Sequence, residues 1–100
     1  MQIENSNQTG VSTIGDLTLR YTIKRDKDNN PTEVRAEVFK GLDRVGFCNC
    51  DKDFLIGITT NRDNPVTLAE VKTFTDQFLD DAADVFGVSE SESESESVGD

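Results

Sequence analysis

The chain reads as an α+β fold: a four-stranded antiparallel β-meander with one C-terminal amphipathic helix packed on one face. Three observations predict it. Apolar and polar residues alternate with period two in several segments between residues 17 and 59. Clusters of Asp, Asn, Gly and Pro separate those segments at short intervals. The period then changes to 3.6 after Thr67. One hundred residues bound the chain to one small domain. Its parts are a flexible N-terminal arm at 1–10, a folded body at 11–87, and a disordered Ser/Glu-rich tail at 88–100.

The first strand covers residues 17–24. Leu17, Leu19, Tyr21 and Ile23 face one way, and Thr18, Arg20, Thr22 and Lys24 the other. The turn formers Asp26–Pro31 follow. Val34, Ala36 and Val38 then alternate with Glu33, Arg35 and Glu37, which closes a hairpin. Gly41-Leu42-Asp43 turns the chain into a third strand at 44–50, read with Val45 and Phe47 inward. After Asp51-Lys52-Asp53, a fourth strand places Phe54, Ile56 and Ile58 inward and Leu55, Gly57 and Thr59 outward. Short links between successive strands favour the antiparallel meander. A weaker strand signal lies at Val11–Ile14.

Thr67-Leu68-Ala69-Glu70 carries the capping-box spacing, and Gly87 is a natural stop. Between them Leu68, Val71, Phe74, Phe78, Leu79, Ala82, Val85 and Phe86 are expected on the packed face. Glu70, Asp76, Asp80, Asp81 and Asp84 are expected on the solvent face. Four strands span about 14 Å, whereas one helix covers about 10–12 Å. Some apolar sheet is therefore left uncovered. Phe39 and Leu55, out of phase with the inward positions of their strands, add to it.

Charge is segregated. Residues 67–100 hold ten acids and one base, Lys72, whereas residues 1–66 hold ten acids and nine bases, within a formal total of −10. A basic protein surface suits the acidic end better than a polyanion does. The run from Ser89 to Ser97 alternates Ser and Glu and has too little apolar content to fold. Ser89, Ser91 and Ser93 each precede a glutamate by three residues, a spacing suited to an acid-directed kinase.

Catalysis is disfavoured. The chain has no histidine, which removes Ser–His and Cys–His pairs and the usual base near neutral pH. Cys48 and Cys50 are separated by one residue, so a disulfide between them is strained. They are read as reduced thiols, and they supply two of the four thiolates that zinc usually takes. Asp26, Asp28, Asn30 and Glu37 match a calcium-loop spacing, but Pro31 stands where that loop needs glycine. The phosphate-cradling glycine patterns do not occur. No cofactor, metal or catalytic residue is therefore assigned. The first residues lack the basic and apolar regions of a signal peptide, and no apolar run suits a membrane span. The expected location is cytoplasmic, or in a particle assembled in the cytoplasm.

Three functions fit. The first is a non-enzymatic protein-binding or assembly subunit, with a protein partner or a homo-oligomer, using Phe39, Leu55, Asp76, Asp80, Asp81 and Asp84. The second is single-stranded nucleic-acid binding through Arg20, Lys24, Arg25, Lys27 and Arg35. Over residues 17–86 the order of elements, four meandering strands and then a helix, resembles the Whirly and Pur-type binding proteins. That resemblance implies a sheet face that takes single strands, with the acidic tail as competitor. The third is an acidic decoy that offers carboxylates in place of phosphates to a nucleic-acid-binding protein.

Overall fold

The computed structural model describes residues 9–87 with their side chains and the backbone of residues 2–3. The tail at 88–100 and most of the N-terminal arm lie outside the described residues. The architecture is an antiparallel meander with one helix across it. In chain order the strands are β1 (Gln2–Ile3), β2 (Thr9–Ile14), β3 (Leu17–Arg25), β4 (Pro31–Lys40), β5 (Asp43–Asp51) and β6 (Ile56–Thr60), followed by the helix α1 (Leu68–Phe86). Each strand pairs with the next in sequence.

The sheet thus has five full strands rather than four, with β1 added at its margin. The added full strand is β2, where the weak signal at Val11–Ile14 lies. It begins at Thr9, inside the stretch expected to be a flexible arm, and Gln2–Ile3 pairs with it. Its alternation is muted because its inward positions hold Gly10 and Ser12 rather than large apolar residues.

Local chemistry sets the turns. Gly15 and Gly41 take positive φ in the short β2–β3 and β4–β5 turns. At the β3–β4 turn, the Asp26 carboxylate accepts from the Asp28 and Asn30 amides, and Asn29 adopts φ 67°. The Asp51 carboxylate repeats the device at β5–β6 by accepting from the Asp53 and Leu55 amides. Phe54 there sits at φ 61°. It leaves the inward set of the fourth strand, 44% exposed, and rests edge-on against Phe86.

One irregularity changes the phase of β5. Val38 pairs with Gly46 and Phe39 with Arg44, so Val45 is an extra residue in the ladder. Val45 remains buried, but everything after it swaps faces relative to strict alternation. Gly46, Cys48 and Cys50 face the helix, and Phe47 faces away. The expectation that Phe47 is a core residue is therefore corrected.

The core lies between the helix and the sheet. Leu17, Leu19, Tyr21, Val34, Ala36, Val38, Cys48 and Cys50 meet Phe74, Phe78 and Ala82. The Tyr21 and Phe78 rings stack at 6.1 Å, nearly parallel. The helix starts with the predicted capping box at Thr67 and Glu70 and ends on Gly87 in the left-handed region. It packs on β2, β3, β4 and β5, most extensively on β4. No described helix is long and apolar enough to cross a membrane.

Gly46 makes this packing fit. A Cβ added there would lie 3.1 Å from the Thr59 carbonyl oxygen and 3.2 Å from the Phe74 ring. The carbonyl belongs to the neighbouring strand and cannot rotate away. Gly46→Ala should destabilise the fold by about 1–2 kcal/mol. Urea denaturation would check this, with Gly57→Ala, which meets the movable Asn49 side chain, as the milder comparison.

Candidate functional site

The site expected on the helix divides in two. Asp76, Asp80 and Asp84 are exposed on the outer face of α1. Asp81 is not. It is 1% exposed and sits within the core layer. Its position three residues after Phe78 and seven after Phe74 permits this, and the Ser12 and Tyr21 hydroxyls supply the partners that make it tolerable. The expectation from helical spacing that Asp81 lies on the solvent face with Asp76, Asp80 and Asp84 is corrected here. A buried residue is also withdrawn from any acidic docking surface.

Asp81 serves the fold. One carboxylate oxygen accepts from the Tyr21 hydroxyl at 2.5 Å and the Ser12 hydroxyl at 2.7 Å. The other accepts from the Gln77 side-chain amide at 3.0 Å. Buried polar groups persist only when so satisfied. The Tyr21 phenol is held well above its usual pKa, first by burial and then by its hydrogen bond to Asp81. Complementary polar groups facing one another on three elements are the sequence signal for this cluster. No local pattern reveals which of them meet.

The sheet face away from the helix is the second surface. Its rows follow from the register. Thr13, Thr18, Phe39 and Arg44 form one row, and Val11, Arg20, Glu37, Phe47 and Thr59 the next. Thr9, Thr22, Arg35, Asn49 and Gly57 form the third. The bases expected to grip nucleic acid are partly engaged. Lys24 and Arg35 both approach Glu33, at 3.6 and 3.1 Å, and Arg44 pairs with Glu37 at 3.1 Å. Arg25 donates to the Asn29 carbonyl at the β3–β4 turn, and Lys27 is exposed on that turn. Arg20 is exposed in the centre of the face and makes no ion pair among the described residues. Phe39 and Phe47 are half-buried between these charges. Arg44, Phe47, Thr59 and Arg62 help line an open groove of about 440 Å³ at the end of β5 and β6.

The third surface is the corner where β5 turns into β6. Leu55 is 72% and Ile56 47% exposed, directly after Phe54 in the chain. Leu42 and Leu68 are also exposed, but singly. Ile56 opens β6, which among the described residues has β5 as its only neighbour in the sheet.

The thiols are placed against chemistry. Cys48 and Cys50 are free and buried on the helix side of β5. Burial pushes the Cys48 thiol up to about 12. It raises Cys50 as well, with the Asp51 carboxylate as a second cause. Among the described residues no group of three or more Cys, Asp or Glu is placed to hold a metal ion. A comparison with known proteins finds no match: no family model, no curated protein and no solved structure is significantly similar to this chain.

Two outcomes follow. Asp81→Ala leaves the Tyr21 and Ser12 hydroxyls without their buried acceptor and should cost about 2–4 kcal/mol in urea denaturation. Tyr21 is the only tyrosine, so its ionisation can be followed by absorbance. Its folded pKa is raised, so folding retains the phenol proton. Stability is thus complete below the ordinary tyrosine value of about 10 and falls as pH rises beyond it. Phenolate absorbance should appear together with the loss of helix signal. Ionisation near pH 10 in a fully folded chain would contradict the buried pairing.

Proposed function

We propose that the protein is a non-enzymatic protein-binding or assembly subunit. The observation that supports this best is the corner at Phe54, Leu55 and Ile56. These three are consecutive in the chain and exposed where the edge strand β6 begins, whereas the other exposed large apolar residues, Leu42 and Leu68, stand singly. Desolvating them is favourable by roughly 25 cal/mol per Å² of apolar surface, which a binding partner would realise. The exposed acids Asp76, Asp80 and Asp84 lie on the helix face directed to solvent, where a basic protein surface could meet them. Asp81 takes no part in this, and Phe39 lies on β4, two strands away from β6, on the sheet face away from the helix.

A second reading, single-stranded nucleic-acid binding, has one specific observation in its favour. The irregularity at Val45 places Phe47 on the open face near Phe39, with Arg20 and Arg44 beside them. Aromatic rings between bases on an open sheet suit base stacking. Glu33 and Glu37 on the same face oppose it by pairing with Lys24, Arg35 and Arg44.

One pair of measurements separates the readings. Light scattering coupled to size exclusion should find the full chain self-associated, or shifted in mass when mixed with a basic protein. Fluorescence anisotropy with a labelled oligothymidine should show no saturable binding. Saturable, salt-sensitive binding that Phe47→Ala and Arg20→Ala each weaken about tenfold would replace the assembly reading with the nucleic-acid one.

A further inference from the structure

We propose that the free edge of β6 is a self-recognition site, which pairs antiparallel with β6 of a second copy about a two-fold axis through Ile58. The inference deepens the assembly reading and rests on it. Its starting point is the direction of the backbone groups. The Leu55 carbonyl accepts from the Asp51 amide at 3.3 Å, and the Asn61 amide donates to the Val45 carbonyl at 3.0 Å. Residues 55 and 61 therefore turn their backbone groups toward β5. Hydrogen-bonding direction alternates along a strand, so Gly57 and Thr59, opposite Asn49 and Phe47, do the same. Ile56, Ile58 and Thr60 must then present their amides and carbonyls outward, and among the described residues no further strand lies beyond them.

This outward set is its own complement. With the axis at Ile58, Ile56 of one copy faces Thr60 of the other, Ile58 faces Ile58, and Thr60 faces Ile56. Every pair matches outward groups with outward groups, giving about six inter-copy hydrogen bonds. Opposed residues share a face, so the isoleucines of both copies would meet on the helix side of one continuous sheet. That is the side on which Ile56 is 47% exposed.

The local charge favours a second copy over a basic partner. The chain carries −10, yet residues 52–63 hold only Lys52, Asp53, Arg62 and Asp63, two of each sign. The strand itself, Ile56-Gly57-Ile58-Thr59-Thr60, carries none. Edges that must stay single usually hold a lysine, a proline or a bulge, and β6 holds none of these. Two-fold pairing is the closed form of such an edge. Charges elsewhere on the two copies repel, so added salt should strengthen the association.

The test is amide hydrogen exchange on the full chain, read by NMR at low micromolar and at submillimolar concentration, with sedimentation over the same range. The expected result is association with concentration and an alternating footprint. The amides of Ile56, Ile58 and Thr60 slow about tenfold, while those of Gly57 and Thr59 change little. Thr60→Pro removes only an outward amide and should weaken association about tenfold while leaving the β5–β6 bonds in place. Should that variant fold poorly, the wild-type footprint alone decides. Association without the alternating footprint overturns the edge pairing and leaves the assembly reading standing on another surface. Absence of association at every concentration also overturns it and leaves that reading to a different protein partner. Slow exchange at the three amides that ignores concentration means that the chain's own residues cover the edge, and overturns it equally.

Discussion

The buried carboxylate of Asp81 is the constraint on which the remaining packing depends. An uncompensated charge or polar group in a protein interior is strongly unfavourable. Asp81 is tolerated because the Tyr21 and Ser12 hydroxyls and the Gln77 amide converge on it. Those donors come from β3, β2 and the helix itself, so the cluster fixes both the rotation of the helix and its position along the sheet. Hydrophobic burial alone is non-directional and would accept several helix placements. With Asp81 held, Phe78 stacks on Tyr21 and Phe74 reaches the gap above Gly46. The cluster also explains why β2 belongs to the sheet despite its weak apolar pattern. Its Ser12 is an inward position that needs a hydroxyl rather than a methyl group.

The second determinant is the extra residue at Val45. Strict alternation would turn Phe47 toward the helix and Gly46 away from it. The irregularity instead brings Gly46 and the two compact thiols beneath the helix and sends Phe47 to the open face. One local change thereby sets both surfaces. It closes the core around small residues on one side and supplies an aromatic ring to a charged face on the other. The thiols contribute packing volume and no accessible nucleophile, since burial raises the pKa of both.

The two long edges of the sheet are treated differently. β2 is partly capped by β1, whereas β6 carries no charge and, among the described residues, has no strand on its outer side. The helix packs on β2 to β5, so β6 lies at the margin of the covered area. Exposed apolar side chains, a bare edge and a locally neutral stretch coincide at this one place. The helix acids are elsewhere: Asp76, Asp80 and Asp84 lie on the outer helix face, and Glu70 is tied to Lys40 at 2.6 Å. The apolar corner and the acidic helix face therefore have separate locations on the molecule.

The sequence by itself determined the meander, the helix with its capping box and glycine stop, and most of the core. Those features are local. Alternation in residues 17–24 and 33–38, turn-forming clusters and helical spacing each act within a few residues. Three things were decided only by the tertiary structure. Thr9–Ile14 is a full strand because β3 pairs with it and Asp81 needs Ser12. Phe47 faces outward because β4 and β5 are offset by one residue at Val45. Asp81 is internal because donors sixty and more positions away reach it. In each case the free energy resides in a contact between elements distant in sequence. A residue's charge or hydropathy states what it needs, and only the assembled fold supplies the partner that meets the need.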